Sequence, residues 1–412
     1  MTPRERLRAF YRGEKIDRIP NGLGGCETAG MHVLAYNNLK KVLGVTDPTT
    51  RMYTFMTNAV FEPTVLEAMG GDTIVLNSRM CASPLWGEQA RDRWKDQDLW
   101  GQTFQVPSRW EFHRDADSTI WWWPGGRQNQ ECPMKCPPGG IYFDWPSSGK
   151  PQELPDMDHQ PSPDDFHPSH EVPQERLREM EEAARWLYEN TDYSITVGES
   201  IIDLQHHPGG MQAWWMRMAI ERQACHDFLH KATDAALAQL KQVHQAVGKY
   251  ADAMIMADDM GDCRGVTCGP DLWHDIYKPH YRRLWQEWKT ITPMRSILHS
   301  CGSIVDILDD YIDCGLDVYN PIQRSARGME SENLIAKFGG RIIFYGGALD
   351  AVITPPGTPD EVVYEEAKKT ISMLAAGGRY IFAGTHNIPG DTPIGHLRAM
   401  MRAYEDVKNA QP

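Results

Sequence analysis

The sequence predicts an α/β protein, a TIM (β/α)8 barrel with a Trp/Pro-rich insertion between strands 2 and 3. Three observations predict it. Strand and helix signals alternate along most of the 412 residues, and the strands so counted number eight. Nearly every strand ends in a polar or ionisable residue, at the end where a barrel keeps its chemistry.

The first predicted strand is RIPNGLGG (18–25), entered from a charged helix, and the second is DTIVLN (72–77), after helical sequence in MTNAVFEPTVLEAMG. YSITVG (193–198) and DAMIMADD (252–259) are the third and fourth, with helical sequence between them to about Tyr250. RSILHSC (295–301), LDVYNP (316–321), RIIFYGG (341–347) and YIFAG (380–384) complete the set. Helical runs at 269–289 and in IVDILDDYIDCG separate them, and IGHLRAMMRAYEDVKNA closes the chain. A doubly wound open sheet is the alternative. It needs no eighth repeat and usually carries a glycine-rich phosphate loop after its first strand, which this sequence lacks.

Residues 1–412 therefore read as a single TIM-barrel domain. Residues 80–180 break the alternation with WWWPGGRQNQ, PPGGIYFDWP and HQPSPDDFHPSHEVP. They predict inserted hairpins and loops that form a rim or lid. A packing subdomain filled by Trp121–Trp123 is the other reading.

A net charge of −14 argues against nucleic-acid or anionic-membrane partners, which need clustered Lys and Arg. No apolar run is long enough to span a bilayer, and the N-terminal stretch lacks the apolar core of a signal peptide, so a cytoplasmic protein is expected. Nine scattered cysteines, an odd number, point to reduced thiols rather than a disulfide scaffold. Cys132 with Cys136, and Cys263 with Cys268, lack matching second pairs and read as small apolar residues.

The strand ends supply the chemistry. They present Cys26 and Glu27, then Asn77 and Arg79, then Glu199, then Asp258 and Asp259. The later ones present His299 and Cys301, Asn320 and Gln323, Tyr345, and finally His386 with Asn387. Side chains two apart on a strand share a face, so His299 and Cys301 present imidazole and thiolate together. With His386 across the mouth they form the best metal candidate, and a nitrogen–sulfur set suits zinc. On spacing alone, a buried hydrogen-bonded pair without an ion is the stronger reading. A helix starting near Gly302 would favour the Cys301 thiolate. Asp258 and Asp259 are acid–base candidates, or an N-cap and salt-bridge partner; with Tyr345 they complete the catalytic set. Glu27, Asn77, Glu199, His207, Asn320 and Gln323 are expected to line the substrate, with His206 beside them.

The pieces TPRERLRAFYRGEKIDRIP, MADDMG, LHSCGSI, DYIDCGLDVYNPIQ, FGGRIIFYGGALD and GGRYIFAGTHNIPGDTP together resemble the uroporphyrinogen decarboxylase superfamily, over roughly 1–80 and 185–410. The resemblance implies a TIM barrel, in a family whose barrels are often homodimers. True decarboxylases carry an arginine-rich MRQAGR-like segment near the first strand, where this chain has NGLGGCETAG. The other branch, zinc-dependent methyltransferases working with corrinoid proteins or thiol acceptors, uses a His-x-Cys pair matching His299 and Cys301. That branch usually adds a cysteine at the eighth strand, where this sequence has GTHN and His386. The resemblance thus implies a Zn2+-dependent methyltransferase, a small O- or N-methyl donor, and cobalamin on a separate partner protein. A metal-free decarboxylase or lyase acting on a small carboxylic acid, with Asp258 as its central carboxylate, is the alternative. A non-enzymatic scaffold or ligand sensor on the same barrel is a third reading.

Overall fold

A computed structural model describes residues 1–76, 85–86, 93–127, 133–144, 165, 167–198, 204 and 209–409. The predicted strands that form are short apolar runs, buried along nearly their whole length, as expected where helices cover a parallel sheet. They are β1 (Thr73–Val75), then, after five strands of a different kind, β7 (Ser194–Val197), β8 (Ala253–Ala257), β9 (Arg295–His299), β10 (Val318–Asn320), β11 (Ile343–Tyr345) and β12 (Tyr380–Ile381). These seven form one curled parallel sheet in the order β1-β7-β8-β9-β10-β11-β12, consistent with a TIM-like barrel. Helices at Arg222–Val247, Lys278–Ile291, Leu308–Cys314, Ser331–Phe338 and Asp360–Ala376 carry the chain from each strand to the next.

The run predicted as a first strand behaves differently. Among its residues a single parallel bridge forms, Asn21 to Phe382. Gly22 N–H donates to the Phe382 carbonyl at 2.8 Å, Phe382 N–H to Pro20, and Asp72 N–H to Asn21. Residues 20–22 are thus hydrogen-bonded to both edges of the sheet. A Cβ on Gly22 would lie 2.6 Å from Ile381 and from the Tyr345 ring, so only glycine lets the backbone pass there. At Gly24 the chain turns away with φ +78°. Close approach and an early turn leave no room for the ladder that the apolar run suggests.

The helix at Pro3–Tyr11 starts on a Thr2–Glu5 capping box and carries Arg6 to the same edge. Arg6 and Arg18 converge on the fully buried Asp72, whose carboxylate also accepts Asn21 N–H at 2.7 Å.

Between β1 and β7 lie the strands of the other kind. β2 (Trp94–Leu99) and β3 (Gln102–Pro107) form a hairpin; β4 (Glu111–Arg114), β5 (Ile120–Trp123) and β6 (Met134–Cys136) form a three-stranded antiparallel sheet. Along β5 burial alternates, so Trp122 enters the core while Trp121 and Trp123 are half-exposed. Trp122 packs against Trp110 at 4.5 Å between centroids and against Phe143 at 5.1 Å. The segment is fastened to the barrel side by Met52 N–H to Gln105 O, by His32 Nε2 to Ile141 O, and by Gly390 N–H to the Tyr142 hydroxyl.

Two predicted boundaries move. The helix before β7 begins at Gln174, inside the region assigned to the insertion. The helix after β9 begins at Leu308 rather than near Gly302, because residues 302–304 are irregular and 305–307 form a turn. Its N-terminus is therefore not beside Cys301, and the dipole argument for that thiolate fails. Among the described residues no helix is long and apolar enough to cross a membrane.

Candidate metal centre

Register builds the site. Ala257 pairs with His299, and His299 with Asn320, so the ends of β8, β9 and β10 form one row. Just past that row the backbone bends, and its amides are held by side chains from the neighbouring strand ends. Cys301 N–H donates to Asp259 Oδ1 at 2.8 Å, and Gly302 N–H to Gln323 Oε1 at 2.8 Å.

His299 is 3 % exposed, with Nε2 lying 3.3 Å from Cys301 Sγ. The His386 ring closes on His299 with centroids 5.0 Å apart, although β12 stands three places from β9 in the sheet. Its loop is stitched to the first strand end, since Ile388 N–H donates to Gly30 O and Gly30 N–H to Asn387 Oδ1. One ligand atom from each of His299, Cys301 and His386 lies within 4.8 Å of the others.

This donor set fits zinc. Tetrahedral Zn–N and Zn–S bonds put neighbouring donors about 3.3–3.6 Å apart. The His299–Cys301 pair already has that spacing, and the widest pair must close by roughly 1 Å. Burial, reinforced by the neighbouring His299, pushes the His386 imidazole down to about 3, while Asp259 opposes. The ring is therefore neutral at physiological pH and its lone pair is available, as a ligand requires.

The remaining candidates divide. Asp259 belongs to the cluster: its Oδ1 lies 3.8 Å from His299 Nε2 and the side chain is half-exposed. Asp258 does not. It is fully buried, and its charge acts on Tyr277, Tyr311 and Cys268 on the helical side, because successive residues point to opposite faces. Asn320 is buried behind His299, bonded to Nδ1 at 2.8 Å, and Gln323 stands beside Cys301. Tyr345 donates its hydroxyl to Gly22 O at 2.5 Å, and burial raises its pKa well above the usual phenol value. Glu27 is buried in a short 3-10 turn, and its carbonyl accepts Asn58 Nδ2–H at 2.9 Å. Asn77, Arg79, Glu199, His206, His207 and Cys132 lie outside the described residues. Of the paired cysteines, Cys136 is buried, Cys268 is partly buried and Cys263 is exposed. Thr28, which donates to Asn320 Oδ1 at 2.9 Å, was not legible in the sequence, since no spacing ties a residue at the first strand end to one at the sixth.

Residues 206–407 match the family described as Uroporphyrinogen decarboxylase (URO-D), and the match spans all three candidate ligands. The methylcobamide:CoM methyltransferase MtaA of Methanosarcina barkeri is 25% identical over 178 residues, 43% of this chain and 50% of the relative. The MtaA of M. barkeri strain Fusaro / DSM 804 gives the same figures. The chain spans about half the length of the curated relatives it matches. A solved methyltransferase from Methanosarcina mazei superposes with a TM-score of 0.54 at 16% identity, covering 98% of this chain and 99% of that one. That likeness concerns the fold.

Proposed function

We propose that this protein is a zinc-dependent methyltransferase of a corrinoid system, acting in the cytoplasm on a small O- or N-methyl compound. The sheet is read as an eight-stranded barrel, with residues 18–25 as its first strand and the antiparallel segment as a rim over its mouth. The observation that carries the proposal is the single-thiolate donor set of His299, Cys301 and His386.

Zinc bound there would supply Lewis acidity. One thiolate and two neutral imidazoles leave the ion a net positive charge, whereas a second thiolate would cancel it. The positive form favours withdrawing charge from a leaving oxygen or nitrogen; the neutral form favours a nucleophilic thiolate. MtaA is named for transfer from methylcobamide to CoM. His386, in place of the cysteine usual in that branch, points this chain toward demethylating its substrate. The bond broken joins the methyl carbon to the heteroatom, which keeps the electron pair and takes up a proton; the bond formed joins that carbon to the reduced corrinoid on the partner protein. Asp259, half-exposed beside His299, would take part by holding that proton, a role its 3.8 Å distance from His299 Nε2 supports.

Zinc-loaded protein, incubated with reduced cobalamin and a panel of methoxy and methylamine compounds, should form methylcobalamin, detected by its absorption spectrum. Consumption of methylcobalamin by a thiol, with no methylation from any O- or N-methyl compound, would reverse the proposed direction. A wild-type protein that binds no zinc would end the metal reading altogether.

A further inference from the structure

Asn320 is a buried residue that the metal chemistry above leaves unused. It is fully enclosed, and each of its polar atoms has a partner: Nδ2 lies 3.2 Å from the Tyr345 carbonyl, and Oδ1 lies 2.9 Å from Thr28 Oγ1 and 2.8 Å from His299 Nδ1. A carbonyl can only accept, so the atom facing Tyr345 must be the amide nitrogen. The reversed amide would set two oxygens against each other in a site closed to water. The oxygen is thereby fixed toward Thr28 and His299, and an amide oxygen only accepts. His299 Nδ1 must then carry the hydrogen, and Nε2, 3.3 Å from Cys301 Sγ, keeps its lone pair.

We propose that Asn320, oriented by the Tyr345 carbonyl and supported by Thr28, is a positioning residue that fixes His299 in the Nδ1–H tautomer and so makes Nε2 the metal-binding atom. The strand register delivers this arrangement. Asn320 is the cross-strand partner of His299, while Tyr345 ends the next strand over. The ordering continues downward. Thr28 uses its one hydrogen on Asn320, so at the 3.6 Å contact with Cys26 the thiol is the donor. Tyr345 in turn spends its hydroxyl hydrogen on Gly22 O. The hydroxyl hydrogens of Thr28 and Tyr345 thus each have one direction, while the Cys26 thiol has two acceptors in reach, Thr28 Oγ1 and the Tyr345 hydroxyl. Without Asn320 the ring could place its hydrogen on Nε2 and direct it toward Cys301, removing one donor from the cluster.

The inference rests on the metal reading for its consequence but not for its first test. In zinc-free wild-type protein labelled with 15N at histidine, two-bond 1H–15N correlations should show His299 as Nδ1–H; an Nε2–H pattern overturns the proposal. Zinc affinity, by chelator competition, should fall 10–100-fold in Asn320→Leu, the range for lost outer-shell partners. It should fall less in Thr28→Val, which leaves the amide in place. Wild-type affinity in Asn320→Leu, with the zinc-free melting curve intact, also overturns it. If Asn320→Leu does not fold, the wild-type tautomer and Thr28→Val still decide. A wild-type chain that shows Nδ1–H but binds no zinc supports the tautomer assignment while ending the metal reading.

Discussion

Replacing His386 by alanine tests the cluster at its least expected member. Zinc held by four ligands in small peptides is bound by roughly 10–16 kcal/mol, so one ligand carries about 2.5–4 kcal/mol. At about 1.4 kcal/mol per decade that is a 10²–10³-fold loss of affinity. Water taking the emptied position returns part of it, so the expected loss lies near a hundredfold. The His386 ring, held neutral by burial, needs no deprotonation at pH 7, so no proton competition masks the effect. The assay is zinc content after dialysis, followed by competition with a chromogenic chelator, on wild type, His386→Ala and the double variant His299→Ala, Cys301→Ala. The double variant should retain no zinc, and His386→Cys should bind at least as tightly as wild type. An His386→Ala protein within threefold of wild type would show that the 5.0 Å approach of the two rings is packing and not ligation.

Three further outcomes follow from the geometry. Zinc should protect Cys301 from alkylation while exposed Cys263 continues to react, as peptide mass mapping would read; equal labelling with and without zinc contradicts Cys301 as a ligand. Asp72→Asn should destabilise the fold by about 3–5 kcal/mol in urea denaturation, because it leaves the Arg6 and Arg18 guanidinium groups without their buried counter-charge; a loss under 1 kcal/mol would refute this. Burial pushes His32 down to about 4, against the opposing pull of the Ile141 carbonyl. The folded chain thus holds a neutral ring where the unfolded chain takes a proton below about 6.5. Its contribution is complete above that pH and is lost as pH falls toward 4, reaching about 2 kcal/mol at pH 5. His32→Gln should flatten the stability profile between pH 7.5 and pH 5 by that amount, and an unchanged profile would count against a buried neutral ring.

Seven of the eight expected strands and their parallel order were legible because they depend on apolar runs and their alternation with helices, as in AMIMA and SILH. The pairing of His299 with Cys301 was legible because a strand has a period of two. The same period separates Asp258 from Asp259, yet adjacent carboxylates look like one feature until register decides which of them shares the His299 side. The helix start after β9 was not legible: IVDILDD is apolar enough to be helical from its first residue. In the fold the backbone amides of 301–303 are claimed by Asp259, Gln323 and the Asp262 carbonyl, which delays the helix to Leu308. Such long-range claims on backbone donors leave no local trace.

The first strand end shows why the site depends on residues that no metal-ligand pattern contains. Glycine at position 22 lets the chain pass within contact of Tyr345 and Ile381, and its carbonyl takes the Tyr345 hydroxyl. The Tyr345 carbonyl orients Asn320, and Asn320 holds His299. The same backbone is tied through Asn21 to Asp72 and so to Arg6 and Arg18. A side chain at Gly22 would have to displace the Tyr345 ring, and movement there reaches His299 through two hydrogen bonds. Gly22→Ala should therefore lower zinc affinity as well as stability, although it lies on a segment that contributes no ligand. A variant that loses stability but binds zinc like wild type would show that the ordering of His299 stops at Asn320 and does not extend to residues 20–22.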